Sequence, residues 1–357
     1  MQQVNGIGDG LVRWGILGTA NIATRVGRAI TLAENARIAA IASRDATRAV
    51  EWTARHTLAP GDQPTATVFL PPDQPAPTCY GSYEALLDDP TIDAVYIPLP
   101  PTLHAEWTIR AAQRGKHVLC EKPLAMNLDE ARHMADACRQ HGVQLMDGVM
   151  WVHHHRTAHM QRILDSGQLG PLRRVTSAFS IEGRHFQPDN IRYNRALGGS
   201  SLGDLGWYCV RATLWALEAL PERVYATAAY QADVDLQLSA LLWFGGGRMA
   251  SFDCGYHLAF RKWMEVTGEA GSLVCDDFVH PWTPDTARFW LHGPQGKASQ
   301  EESPPCIHEV RMIERFDTIV RTGKPEPRWV DDALATQQVC DALDRSARIG
   351  ECVAVAP

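Results

Sequence analysis

From Leu11 to about Met150, short apolar runs alternate with longer stretches in which apolar positions recur every three or four residues. The first pattern is that of a strand buried on both faces, the second that of an amphipathic helix. VRWGILG predicts a strand ending in glycine, NIATRVGRAITLA a helix, ARIAAIASR a second strand, and DATRAVEWTARH a helix with Asp45 as its N-cap. YEALLDD reads as a short helix stopped before Pro90, IDAVYIPLP as a third strand, and LHAEWTIRAAQRG as a helix halted by Gly115. KHVLCEKP is a fourth strand. NLDEARHMADACRQHG is a helix with Asn127 as a candidate cap and a stop at Gly142, and VQLMDGVM is a further strand. Strands alternating with helices build βαβ units on a parallel sheet, so residues 11–148 are expected to form one doubly wound Rossmann domain. The stretch APGDQPTATVFLPPDQPAPT, 59–78, breaks the rhythm; its prolines forbid a long helix and predict a surface loop with at most a short strand.

Beyond residue 149 the period changes. LRRVTSAFSIEG, RVYATAAYQADV, LQLSALLWFGGG, RMASFDCGYH and KWMEVTGEAGSLVC are strand-like and joined by short turns, an antiparallel pattern. LGDLGWYCVRATLWAL interrupts them as a helix, and VDDALATQQVCDALDRSARIG closes the chain as another. Residues 149–357 are therefore expected to form an α+β domain around a large, open, mainly antiparallel sheet. Helices cover one face of such a sheet; the other needs a cover, which predicts a homo-oligomer, with a dimer as the first expectation.

Composition sharpens this picture in three places. The length of 357 residues with 45% hydrophobic content favours two domains over one. A formal net charge of −7 with no basic face argues against a nucleic-acid partner. The start of the chain lacks the basic and apolar regions of a leader, and no stretch is long enough to span a bilayer, so a cytoplasmic protein without a membrane partner is expected. Nine scattered cysteines with no C-x-x-C pair predict free thiols in a reducing compartment. The triplet His153, His154, His155 has no carboxylate at ligand spacing and its side chains diverge, so no metal is expected.

The candidate chemistry sits at the strand ends. After the first strand comes Gly18-x-Ala20-x-x-Ala23, a degenerate dinucleotide fingerprint; a tight strand–helix turn with no ligand has the same pattern. The second strand ends in Ser43 and Arg44 rather than the acid that holds a ribose hydroxyl. A hydroxyl and a guanidinium suit a 2′-phosphate, although a strand-end arginine can be merely exposed. The segments 98–101 and 121–123 end later strands, where a doubly wound sheet binds its ligands, so Lys122 is expected to face a cofactor cleft. Asp204 and Tyr208 lie four apart on a predicted helix and share a face; a capping Asp and a half-buried core Tyr give the same spacing. A lysine near such a tyrosine lowers its pKa and makes a workable acid–base pair. The loop 189–199 offers Arg192 as a substrate contact or as a plain surface arginine.

Taken together, WGILGTANIA, ASRD, YGSYEALLDDPTIDAVYIPLP, LHAEWTIRAAQRGKHVLCEKPLAMN and GGSSLGDLGWYC resemble the glucose–fructose oxidoreductase / inositol dehydrogenase / MocA family, from about Arg13 to Gly350. Within it the chain looks like the branch of dimeric dihydrodiol dehydrogenase, xylose dehydrogenase and the sugar 3-ketoreductases. The resemblance implies catalytic roles for Lys122, Tyr208 and Asp204. It implies a pyrophosphate turn of Gly18, Thr19, Ala20, Asn21 and Ile22, and a 2′-phosphate site of Ser43 and Arg44. Pro98, Leu99, Pro100 and His104 would flank the nicotinamide, and Glu121 and Pro123 would shape the ribose pocket. Trp151, His154, Arg192 and Asp204 would meet substrate. The chain departs from the family at Pro101, where an asparagine is usual, and at WVHHHRT, which is closer to the sugar ketoreductases. The implied function is an NADP(H)-dependent oxidoreductase, with NAD(H) possible, that moves hydride between nicotinamide and a hydroxyl or carbonyl carbon of a sugar or polyol. Two alternatives share the scaffold: a sugar oxidoreductase or redox-assisted glycoside-processing enzyme that retains its cofactor, and a non-catalytic NADP sensor or partner-binding protein.

Overall fold

The computed structural model describes residues 10–183, 186–282 and 287–355. It divides into two compact units.

The first unit takes in the chain up to Leu124, Asp129–Gly148 and Ile307–Val330. Its elements run β1 (Val12–Leu17), α1 (Asn21–Leu32), β2 (Ala36–Ala42), α2 (Ala46–His56), β3 (Thr78–Tyr80), α3 (Tyr83–Leu87), β4 (Ala94–Ile97), α4 (His104–Gln113), β5 (His117–Cys120), α5 (Leu128–Gln140) and β6 (Leu145–Asp147). The six strands are parallel in the order β3-β2-β1-β4-β5-β6, the Rossmann arrangement, with its switch point between β1 and β4. β4 is buried along its whole length, and so are all but one residue each of β1 and β5, as a sheet covered on both faces requires. The Asp45 carboxylate accepts the Thr47 N–H at 2.8 Å and caps α2 as expected. The 59–78 insertion is mostly exposed and is pinned where Phe69, fully buried, packs against Trp52 and His56.

The sequence reading assigned everything after residue 148 to the second domain. The next helices in chain order are α6 (His155–Asp165), α7 (Trp207–Leu217) and α8 (His308–Thr322); the structure returns Ile307–Val330, and with it α8, to the first unit, and α8 is a helix that reading did not identify. α8 buries Met312, Ile313, Phe316, Ile319 and Val320, one stripe at helical spacing, and packs on α1, β1 and β2. Within that contact the Trp14 indole N–H donates to the buried Asp317 carboxylate at 2.9 Å, and the rings of Trp14 and Phe316 lie 5.0 Å apart. Burial pushes the Asp317 carboxyl up to about 8.

The second unit comprises Ala125–Leu128, Val149–Cys306 and the chain from Asp331. Besides α6 and α7 it holds β7 (Leu172–Ile181), β8 (Arg223–Gln231), β9 (Val234–Trp243), β10 (Met249–Tyr256), β11 (Arg261–Gly268), β12 (Ser272–Cys275), β13 (Ala287–His292), β14 (Ala298–Ser303), most of α9 (Pro327–Ile349) and β15 (Val353–Ala354). Among the described residues these strands form one nine-stranded sheet, β14-β13-β12-β11-β7-β10-β9-β8-β15. Seven of its pairings are antiparallel, but β7 and β10 run parallel at the centre, which the antiparallel reading of consecutive strands did not anticipate. The reason is connectivity: α7 separates β7 from its neighbour β10, and such an excursion permits parallel pairing. α7 is buried over nearly all its length, consistent with its almost uniformly apolar sequence. All nine cysteines are free thiols, six of them buried. Among the described residues, no helix is long and apolar enough to cross a membrane, and no cluster of three or more potential ligands could hold a metal ion.

Candidate active site

The candidate cofactor site of the first unit is built from backbone at strand ends. Gly18 follows β1 with φ +114°, and its N–H donates to Ala42 O at 2.8 Å. A Cβ there would stand 3.0 Å from the Leu99 side chain and 3.8 Å from the Tyr83 hydroxyl, so both the conformation and the space call for glycine. α1 starts directly after this turn. Its N-cap, Ala20, supplies no side-chain cap, and no acid stands in its first turn. Thr19, Ala20, Asn21 and Ile22 are accessible, while Gly18 and Ala23 are buried. An uncapped helix start beside a bare glycine fits a pyrophosphate.

At the end of β2, Ser43 is buried and its N–H is held by Tyr80 O at 3.1 Å, whereas Arg44 is exposed. Burial raises the Tyr83 pKa, and the charges of Arg44 and Arg48, both near this phenol, oppose it. Arg48 was not singled out from the sequence. Its signal was its place four residues after Arg44, in the first turn of α2.

The ends of β4 and β5 are tied together by His104. Its ring is fully buried; Nε2 lies 2.8 Å from Leu99 O, and Nδ1 lies 3.0 Å and 3.2 Å from Pro123 O and Leu124 O. Burial lowers its pKa. The imidazole therefore acts on backbone, fixing the turn of Pro98, Leu99 and Pro100 to the turn after β5, rather than presenting itself to a ligand. Pro98 and Leu99 are buried and Pro100 is half-buried. In the E-K-P turn the Lys122–Pro123 peptide is cis. Glu121 is buried, accepts the Tyr96 hydroxyl at 2.7 Å and the Lys122 N–H at 3.2 Å, and backs onto Gly148. Burial raises its pKa against the opposing Lys122 charge. Lys122 itself is half-buried.

A separate polar and aromatic cluster is built from side chains of the second unit. A π turn, Leu202–Gly206, leads into α7 and carries Asp204, with Tyr208 in the first turn beyond it. Asp204 Oδ2 receives the Arg192 guanidinium at 2.6 Å and the Tyr256 hydroxyl at 3.3 Å, and Arg192 also lies over the Phe186 ring at 4.9 Å. Burial works against the charge on Arg192, but Asp204 more than offsets it and its pKa is raised. Tyr256 is driven well up by burial, reinforced by Asp204, and so stays a proton donor. Tyr208 is nearly buried, its ring 5.4 Å from Phe179 and close to perpendicular to it. From Phe179 an aromatic row continues to the exposed Phe260 and Trp282, the latter with the Lys262 ammonium 3.8 Å from its ring centre. His257, in the left-handed region at φ +63°, places Nε2 2.8 Å from the Tyr193 hydroxyl.

Two residues expected at the substrate make structural contacts. Trp151 is fully buried between Trp215 and Phe278, at 5.5 and 5.6 Å between ring centres, and is a core residue. His154 is buried and accepts the Arg156 N–H at 2.9 Å as the N-cap of α6. Conversely Tyr256, Phe186 and Tyr193 join Asp204 and Arg192, and nothing in their local sequence marks them; sheet register and loop path bring them in.

A glycine cradle at a helix start in a Rossmann sheet, with a polar and aromatic cluster around a tyrosine in a second unit, defines a nucleotide-dependent oxidoreductase. Residues 12–149 match the Gfo/Idh/MocA oxidoreductase family with NAD-binding Rossmann fold, and residues 157–274 match the Gfo/Idh/MocA C-terminal domain. The chain belongs to the Gfo/Idh/MocA oxidoreductase family. It is 34% identical to a D-xylose 1-dehydrogenase (NADP(+)) of Haloferax volcanii over 95% of this chain and 98% of that one. It is 32% identical to a dTDP-3,4-didehydro-2,6-dideoxy-alpha-D-glucose 3-reductase of Actinomadura kijaniata, over 94% and 96%. The solved structure of a 3-ketoreductase from Actinomadura kijaniata with TDP-benzene and NADP superposes with a TM-score of 0.80 at 29% identity, covering 93% of this chain and 96% of that one.

Proposed function

We propose that this protein is an NADP(H)-dependent oxidoreductase acting on a hydroxyl or carbonyl carbon of a sugar or closely related polyol. The observation that carries the cofactor choice is the pairing of the glycine cradle with Arg44 just after β2 and Arg48 in the first turn of α2, two cations where an acid would repel a 2′-phosphate. NAD(H) would use the same cradle with less affinity. The observation that carries the substrate class is the Asp204–Arg192–Tyr256 cluster among Phe186, Phe179 and Tyr193, since hydroxyl-rich rings are held by charged hydrogen-bond partners and aromatic faces together.

A bound nicotinamide would supply the hydride acceptor or donor at its C4. Gly18, Thr19, Ala20, Asn21 and Ile22 would hold the pyrophosphate, Ser43 and Arg44 the 2′-phosphate, and the Pro98–Pro100 and Glu121–Pro123 turns the nicotinamide half. Tyr208 would take the proton from the substrate hydroxyl during oxidation and return it to the carbonyl oxygen during reduction. Lys122 would provide the positive charge that favours the phenolate. Asp204, with Arg192 held beside it, would orient a neighbouring hydroxyl. The relatives that act on xylose and on a dTDP-linked keto-sugar support this substrate class.

The test is nicotinamide absorbance with time, using NADP(H) and NAD(H) in parallel on a panel of aldoses, inositols and keto-sugars. Turnover on sugars with NADP(H) preferred supports the reading; turnover with NAD(H) preferred overturns the assignment of Arg44. Substrate conversion without net nicotinamide change would indicate a retained cofactor. We also propose a homo-oligomer. Tyr225, Leu241, Trp243, Trp263 and Trp290 share the open face of the nine-stranded sheet, and each is only partly covered. Light scattering at the mass of one chain would reject it.

A further inference from the structure

Asp235 is the second residue of β9 and is 1% exposed, among apolar neighbours such as Val234 and Leu238. A carboxylate there carries a desolvation cost that a packing residue would avoid. Its Oδ2 accepts the Leu202 N–H at 2.7 Å and the Ser201 hydroxyl at 2.9 Å. Leu202 opens the π turn that carries Asp204, and its carbonyl accepts the Trp207 N–H that closes that turn. The next two amides are also assigned: Gly203 N–H goes to Ser200 Oγ and Asp204 N–H to Ser200 O, each at 3.0 Å. Ser200 O is held in turn by the Tyr256 hydroxyl at 3.0 Å. On the far side Gly206 lies against β10 so closely that a Cβ would meet Cys254 Sγ at 3.1 Å. The turn is thus gripped at its first amide by a buried acid and at its last residue by the sheet. Burial raises the Asp235 pKa, opposed by these same amide and hydroxyl donors. Turns of this kind cluster at functional sites, and an ordinary helix start needs no buried acid to cap it.

We propose that Asp235 is a positioning residue for the reaction: by holding the 200–204 turn it sets where the Asp204 carboxylate and the Tyr208 hydroxyl stand relative to one another. This rests on the roles proposed for Asp204 and Tyr208. Asp235 itself exchanges no proton and touches no substrate.

The test compares Asp235→Ala, Asp235→Asn and Ser201→Ala by steady-state kinetics, NADPH titration and amide exchange of residues 202–208. Asp235→Ala is expected to lower kcat on the order of 100-fold, the scale of a small misplacement of catalytic groups. NADPH affinity should change less than about twofold, since the cradle is made by other residues. Asp235→Asn retains an acceptor oxygen for the Leu202 amide and should recover most of the loss. Ser201→Ala removes one of two bonds and should cost kcat roughly three- to tenfold. Should Asp235→Ala fail to fold, the two milder variants decide: a kcat loss in Ser201→Ala with KM and NADPH affinity unchanged supports the proposal. Folded variants with unchanged kcat, or with only KM raised, overturn it. If the wild-type protein turns over no sugar, the functional reading fails instead. Amide exchange then decides the clamp alone, and unchanged protection of 202–208 in Asp235→Ala overturns it.

Discussion

The candidate cofactor site of the first unit and the polar cluster of the second are made in different ways. In the first unit the working atoms are mainly backbone: the Gly18 turn, the open start of α1, and the strand-end turns fixed by His104. In the second unit they are side chains gathered from separate stretches: Arg192 from a loop, Asp204 and Tyr208 from a π turn and its helix, and Tyr256 from the end of β10. A backbone site follows from topology alone, because a doubly wound sheet always presents its strand ends at one edge. A side-chain site depends on register and on loop path, so it can change its substrate while the fold stays the same.

Gly18→Val is the largest blow to the backbone-built cofactor site. It puts a branched side chain at φ +114° and against Leu99, and NADP⁺ affinity should fall on the order of 100-fold for a strain of about 3 kcal/mol. Titration calorimetry reads it; unchanged affinity would mean that the turn does not hold the cofactor. Arg44→Ala should reduce the preference for NADP(H) over NAD(H) about 10- to 100-fold, the scale of one charge-assisted contact, as read by the ratio of kcat/KM for the two cofactors. An unchanged ratio would shift the 2′-phosphate role to Arg48 alone.

Asp317 sharpens the comparison from the side of stability. Its carboxyl is held at about 8 in the native state against roughly 3.9 when unfolded, so the native state binds the extra proton between these values. Stability of the first unit should therefore fall as pH rises from about 4 to about 8, by up to ~1.4 kcal/mol per pH unit. Asp317→Asn keeps an acceptor for Trp14 and should flatten that slope in denaturant titrations. An equal slope in the variant would rule out this carboxyl as its source. The smallest effect belongs to the side-chain cluster of the second unit: Arg192→Lys keeps the charge beside Asp204 but loses the planar fork, so KM for substrate should rise about tenfold with kcat changed less.

The same contrast explains what the sequence disclosed. Strands β1, β2 and β4 to β12 and most helices were visible because their periods differ and because the apolar runs are clear, whereas β3, three residues long, and α6 were not read. β13, with Ala287, Phe289 and Leu291 buried in alternation, carried the signal but was short. α8 carried a clear helical stripe; what no local pattern could state is that it crosses back to pack on β1. Gly18 and Lys122 could be singled out because strand ends are predictable. Tyr256 and Phe186 could not, because only the folded sheet brings them to Asp204. For Trp151 and His154 the place in a motif said nothing about burial, and the structure packs one in the core and uses the other as a cap.

The most direct test of this division measures cofactor binding and turnover on one sample of Tyr208→Phe. The account predicts NADP(H) affinity equal to that of the wild-type protein, with turnover on the best sugar lower by roughly 10²- to 10⁴-fold, the usual contribution of a positioned acid–base group. Unchanged turnover, or a loss of cofactor affinity in step with turnover, would contradict it.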